Sequence, residues 1–324
     1  MTRYDVFNGD ADGICSLLQW RTVHPVPAEL ITGVKRDIKL LRRLKVSPGD
    51  TATVFDISLD SNRDDTLRLL DGGMRIEWFD HHFAGEPPAH AGLVSHIDTA
   101  ADTCTSLIVD RLLDGHCRAW AVVGAFGDNL HQAARALAQT AGFDPARTAQ
   151  YAALGELLNY NGYGDSLSDL HFDPAQLYRE LGTYREPIDF VAKSVAFAKL
   201  AEGFQEDIRR AEKLLPNMVQ PHAAAWVLPD ASWARRVVGV MANRLATAHP
   251  ERAHALLVPN LSGSLTVSVR APKLRASGAD ELCLRYPTGG GRKAAAGINQ
   301  LPESGTNAFL GDFAAHFSVL AGSS

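Results

Sequence analysis

Asp80, His81 and His82 stand in succession at the end of RIEWFDHHFAG (75–85). Two adjacent imidazoles beside a carboxylate are nitrogen and oxygen donors suited to a divalent metal, although two histidines can also simply cap a strand at the surface. Asp10 and Asp12 lie in GDADG, where Gly9 and Gly13 let the backbone turn sharply into a helix. Carboxylates two residues apart can face one spot; as an acidic turn with an N-cap, only one of them is comfortably explained. Asp56 ends the apolar run TATVFDI, where a carboxylate is costly to desolvate unless it is paired or metal-bound. Asp128 leaves the apolar segment AWAVVGAF (119–126) at the turn Gly127-Asp128-Asn129. These seven ligand-type residues would repel one another unless cations sat among them. The set predicts a two-metal site, oxygen-rich with one or two imidazoles, which suits Mn²⁺ or Mg²⁺ better than structural zinc.

The elements that must position them read as alternating strands and helices. Strands are predicted at Tyr4–Asn8, Glu29–Val34, Thr51–Ile57, Arg75–Phe79 and 92–98. Between and after them come helices from about Asp12, at Lys35–Leu44 (amphipathic and basic), Ser61–Leu70, Asp102–Leu113 and Ala119–Phe126. That order gives an α/β fold with a doubly wound parallel sheet over 1–130, whose strand carboxyl ends form the ligand crevice. Lys35 and Arg36, where a strand meets a helix, could contact a phosphate or merely begin a solvated helix. Residues 131–219 read as a helical extension and connector, interrupted by the loop NYNGYGDSLSDLHFDP (159–174). After a break at Pro216–Pro221, strands AAAWVLP, AHALLVP and GSLTVSVRAP with helices at 233–248 and from about Thr306 predict a smaller α/β domain over 220–324.

A chain of 324 residues is long for one core, in keeping with two domains. A formal net charge of −5 argues against broad binding to long duplex nucleic acid, while leaving room for a small anion in a local basic pocket. The opening MTRYDVFNGD has no signal-peptide pattern and no run approaches a membrane span. Cys15, Cys104, Cys117 and Cys283 have no CxxC spacing, so a cytoplasmic protein with reduced thiols is expected.

The ordered motifs GDADG, VFDIS, FDHH and GDN resemble those of the DHH phosphoesterase superfamily, and the downstream SVR and GGGRKAAAG resemble its accessory DHHA1 domain. The resemblance spans nearly the whole chain. It implies a manganese-dependent phosphoesterase with its active site in the cleft between the two domains. Carried over residue by residue, Asp56 would bridge both metals. Asp12, His81 and Asp128 would complete one site, and Asp10 would serve the other. His82 would contact substrate phosphate, and Asp80 would orient the histidines rather than bind metal. Asp56, Asp80, His81 and His82 are thus the expected catalytic set.

Two departures stand out. Val6 occupies the position four residues before Asp10 where many members have a histidine, which puts occupancy of that metal position in question. The GGGH often found in the accessory domain is here GGGRK: Gly289, Gly290, Gly291, Arg292 and Lys293 could hold a phosphate or stack on a base, with Ser268 and Arg270 as further phosphate contacts. A bare glycine-rich turn is the other reading of that segment.

The expected reaction is hydrolysis of cyclic dinucleotides, their linear dinucleotide products, or both, by a metal-activated hydroxide. A short-oligonucleotide 3′–5′ exonuclease of nanoRNase or single-strand type is the alternative, and a nucleotide sensor without hydrolysis is the reading from another class. The partners implied are small nucleotides rather than membrane or long duplex, and a homodimer is compatible with the sequence.

Overall fold

The computed structural model describes residues 1–322, and it divides into two compact units, 1–203 and a second beginning at Phe204. In the first, β1 (Arg3–Phe7) leads into α1 (Ala11–Val23), then β2 (Glu29–Ile31) and β3 (Thr51–Phe55). Next come α2 (Arg63–Asp71), β4 (Arg75–Asp80), β5 (Leu93–Ile97), α3 (Thr105–Leu112) and α4 (Arg118–Gly127). All five strands are parallel, in the order β2-β1-β3-β4-β5. The chain therefore leaves β1 to one side and returns to its other side as β3. The crevice at such a reversal, outside the strand carboxyl ends, is where open α/β sheets receive ligands.

Both faces of the sheet are covered, as the alternation of side chains along the strands requires. Val6, Val54, Ile76 and Trp78 pack in an apolar layer with Leu40, Leu41, Leu69 and Leu70. On the opposite face, Phe7, Phe55 and Phe79 lie in register, with Phe55 and Phe79 stacked at 4.9 Å and Trp20 of α1 on Phe79 at 4.6 Å. Because these phenylalanines are level, the residues that follow them leave the sheet at one height: Asn8 N donates to Phe55 O and Asp56 N to Phe79 O.

Residues 35–44 are not the basic helix expected from the sequence. They hold a turn at Lys35 and a single 3₁₀ turn at Leu40–Arg43. Asn62 Nδ2 donates to Ile38 O, an acceptor that a helix would have used, and Lys35 N is tied to Gly162 O. The rest of the unit is helical: α5 (His131–Thr140), α6 (Pro145–Gly162), α7 (Pro174–Leu181), α8 (Pro187–Lys193) and the first part of α9 (Val195–Ala211), which ends in the second unit. The start of the expected loop at 159–174 is instead the last turn of α6. The amide of Asn161 is bonded to both Phe172 N and Phe172 O, which fixes the chain as it leaves that helix.

The second unit holds β6 (Met218–Val219), β7 (Ala223–Val227), α10 (Ser232–Ala248), β8 (Ala253–Pro259) and β9 (Ser264–Arg270). It continues with α11 (Ala279–Cys283), β10 (Gly289–Arg292), β11 (Ala295–Pro302) and α12 (Thr306–Gly322). Its sheet runs β10-β11-β9-β8-β7-β6 and is antiparallel except for β7–β8. Phe309, Phe313 and Phe317 of α12 belong to its core. The glycine-rich segment is one strand of an edge hairpin rather than a free turn.

Candidate metal centre

The turn after β1 is built by close approach. A Cβ on Gly9 would lie 1.9 Å from Gly33 O, and one on Gly13 would lie 2.3 Å from Asn8 O, so neither position accepts a side chain. Asp10 caps α1, its Oδ1 accepting from the N–H groups of Asp12 and Gly13 at 3.1 Å each. Asp12 reaches across to α3: Oδ2 accepts from Thr105 N and Oδ1 from Ser106 N, both at 2.8 Å. It thereby satisfies two N–H groups at a helix start, where a negative charge is favoured.

Asp56 follows β3 with φ 57°, a left-handed conformation that aspartate tolerates better than most residues and that often marks functional sites. Its Oδ1 lies 3.5 Å from His81 Nε2, 3.9 Å from His82 Nδ1 and 3.3 Å from Thr105 Oγ1. Ligand atoms of Asp56, His81 and His82 all fall within 4.8 Å of one another. Asp128, at the end of α4, brings Oδ2 to 3.8 Å from His81 Nε2, and the next residue, Asn129, is also left-handed at φ 63°. Asp80 Oδ1 meets His82 Nδ1 at 2.7 Å.

Burial pushes the Asp56 carboxyl well above the usual carboxylate range, and the charges of Asp10, Asp12, Asp128 and Asp80 push the same way. Burial likewise raises Asp128, to about 6, despite the opposing pull of Lys35. Burial would raise Asp10 too, but Lys35 outweighs it and holds that carboxyl low. His82 loses solvation, which would lower its pKa, yet the bond to Asp80 carries it above the ordinary histidine value. Carboxylates held in so unfavourable a protonation balance, with the His81 Nε2 nitrogen facing two of them, fit a hard or borderline divalent ion.

No family model matches the chain, and no curated protein matches it. Among solved structures, it superposes on the exonuclease RecJ bound to manganese with a TM-score of 0.64 at 20% identity, over 98% of this chain and 90% of that one. RecJ of Thermus thermophilus in complex with Mn²⁺ gives 0.60 at 19% identity, over 98% of this chain and 52% of that one. The pGpG-specific phosphodiesterase PggH of Vibrio cholerae gives 0.55 at 14% identity, over 98% of this chain and all of that one. The chain shares the fold of these proteins.

In the second unit the expected phosphate contacts are gathered on neighbouring strands. Register places Ser268 opposite Gly297 and Arg270 opposite Ala295, and β10 pairs with β11 beyond them. Arg270 donates Nη1 to Ser268 Oγ at 3.0 Å and Nε to Asn243 Oδ1 at 2.8 Å. Arg292 and Lys293 are exposed at the hairpin tip, and Gly290 faces open space.

The first unit also engages a residue whose role the sequence leaves open. Lys35 Nζ lies 2.5 Å from Asp10 Oδ2, 3.0 Å from Asn159 Oδ1 and 3.9 Å from Asp128 Oδ1. Only its place just after a strand signalled this role, and a loop lysine ordinarily faces solvent. Val6 is fully buried in the apolar layer and offers nothing to the site.

Proposed function

We propose that this protein is a metal-dependent phosphodiesterase acting on small nucleotides, with linear dinucleotides, cyclic dinucleotides or both as substrates. The observation that carries the reading is the convergence of Asp56, His81 and His82 at the carboxyl edge of the parallel sheet. Sharing a fold with manganese-bound RecJ and with a pGpG-specific phosphodiesterase supports it. The PggH chain is matched along its whole length, which favours the linear dinucleotide within this reading. A short-oligonucleotide exonuclease is the second reading, favoured by the higher TM-score to RecJ.

Asp56, His81 and Asp128 would hold a divalent ion, Mn²⁺ or Mg²⁺. When bound, it supplies Lewis-acid activation of water and neutralises charge on the phosphoryl oxygens. His82, with Nδ1 held by Asp80, keeps Nε2 for a phosphoryl oxygen, and its raised pKa favours a proton there. In the second unit, Arg270, Arg292 and Lys293, with the N–H groups of Gly289, Gly290 and Gly291, would bind phosphate or stack on a base.

The test is hydrolysis of cyclic dinucleotides, linear dinucleotides and a single-stranded decamer, each with Mn²⁺, with Mg²⁺ and with EDTA. Metal-dependent loss of the dinucleotides establishes the proposal, and turnover of the decamer alone makes the protein an exonuclease. Binding without any product, unaffected by EDTA, would leave a nucleotide sensor.

A further inference from the structure

Asp10 is the carboxylate expected to serve a second ion, yet both of its oxygens are engaged. Oδ1 accepts two backbone N–H groups at the start of α1, and Oδ2 meets the Lys35 ammonium at 2.5 Å. That ammonium is fixed on its other sides by Asn159 Oδ1 at 3.0 Å, by Asp128 Oδ1 at 3.9 Å, and by the Tyr163 ring at 5.7 Å from its centroid. Its backbone is held as well: Lys35 N donates to Gly162 O at 2.9 Å, and Asn8 Nδ2 donates to Lys35 O at 3.4 Å. The lysine is therefore placed by the first and sixth helical segments of the unit and not by chance on a loop.

We infer that Lys35 is a built-in cation that takes the place of one of two metal ions, so that the centre binds a single divalent ion beside Asp56 and His81. The inference rests on the phosphodiesterase reading and sharpens it. A second divalent ion on Asp10 would have to displace an ammonium from a buried carboxylate and sit beside that positive charge. The ammonium already supplies Asp10 and Asp128 with a neutralising charge. Of its three N–H donors, two are taken by Asp10 and Asn159, which leaves a third for Asp128, 3.9 Å away, or for a phosphoryl oxygen. Val6, in the apolar layer, supplies no compensating ligand.

Equilibrium dialysis of the full chain against Mn²⁺, with electron paramagnetic resonance of the bound ion, should give one ion per chain and a mononuclear spectrum. Two ions per chain with a spin-coupled spectrum would overturn the inference. Lys35→Met should keep the circular dichroism spectrum and bind the first ion within about threefold of wild type, while turnover of a linear dinucleotide falls by roughly 100-fold, the scale of losing one charge-stabilising donor. Unchanged turnover in a folded Lys35→Met protein would equally overturn it, and if that variant fails to fold, the wild-type stoichiometry decides alone. Wild-type protein that binds no Mn²⁺ and hydrolyses nothing would instead remove the underlying phosphodiesterase reading.

Discussion

His82 Nδ1 and Asp80 Oδ1 lie 2.7 Å apart, and the carboxylate is completely buried while the side chain of its imidazole partner is 45% exposed. A buried anion thus fixes the ring of a residue that faces outward, setting its tautomer and leaving Nε2 for a ligand. Asp80→Asn should lower kcat on a linear dinucleotide by about 10–100-fold, the usual effect of removing such an orienting partner, with KM little changed. Steady-state kinetics check this. Full turnover in the variant would mean that His82 needs no fixed tautomer.

Asp56 and Asp12 should respond in opposite directions to loss of charge. Asp56 is pushed up by burial and by four neighbouring carboxylates, so its ionised form is disfavoured in the metal-free fold, and stability falls as pH rises above the unfolded carboxylate value. Asp56→Asn keeps a side chain that tolerates φ 57° and should melt a few degrees higher than wild type in EDTA at neutral pH. It should also lose the rise that Mn²⁺ gives wild type, which is about 2.7 kcal/mol at an ion concentration 100 times Kd. Asp12→Asn turns an NH₂ group toward a backbone N–H of Thr105 or Ser106 and should cost about 1–3 kcal/mol. Thermal melts with and without Mn²⁺ separate the two.

The carboxylates and histidines were legible in the sequence because each stands where an apolar strand or helix ends at a glycine-marked or polar turn. Patterns of that kind are local. The contacts of Lys35 were not legible, because they depend on Asn159, which lies far along the chain near the end of α6. For the same reason residues 35–44 read as a helix: the basic and apolar spacing is present, but tertiary hydrogen bonds to Gly162 and Asn62 take the backbone elsewhere. The hairpin of β10 and β11 was hidden by composition. Three consecutive glycines have little strand preference, and only pairing with Ala295–Ile298 makes them one.

His254 in β8 is fully buried, and neither ring nitrogen has a hydrogen-bond partner among the described residues; Trp226 stacks over it at 6.1 Å. Burial pushes its pKa down to about 4, with the charges of His249 and Arg252 acting in the same direction. Because the folded value lies below the unfolded one of about 6.5, the unfolded chain takes up the proton first. Stability of this unit is therefore complete above about pH 6.5 and declines toward pH 4, by on the order of 3 kcal/mol. Hydrogen exchange of the β8 amides at pH 7 and pH 5, corrected for intrinsic rates, should show the loss in wild type and not in His254→Leu. Equal protection at both pH values in wild type would show that the ring is not held neutral.

Gly289 and Gly290 are adjacent in β10 but meet different surroundings. A Cβ on Gly289 would lie 1.8 Å from Cys283 O, a backbone atom that cannot move aside, whereas one on Gly290 would meet nothing within 4 Å. Gly289→Ala should therefore be clearly destabilising, by more than about 1 kcal/mol, through displacement of α11 or of the hairpin. Gly290→Ala should change stability by less than about 0.5 kcal/mol, as an exposed substitution ordinarily does. If the N–H groups of this strand receive a nucleotide, the added methyl stands where the ligand must approach, and KM for a linear dinucleotide should rise about tenfold with kcat preserved. Chemical denaturation and steady-state kinetics on the same two proteins make the comparison. A Gly290→Ala protein with wild-type KM would mean that the glycines serve the hairpin's packing alone.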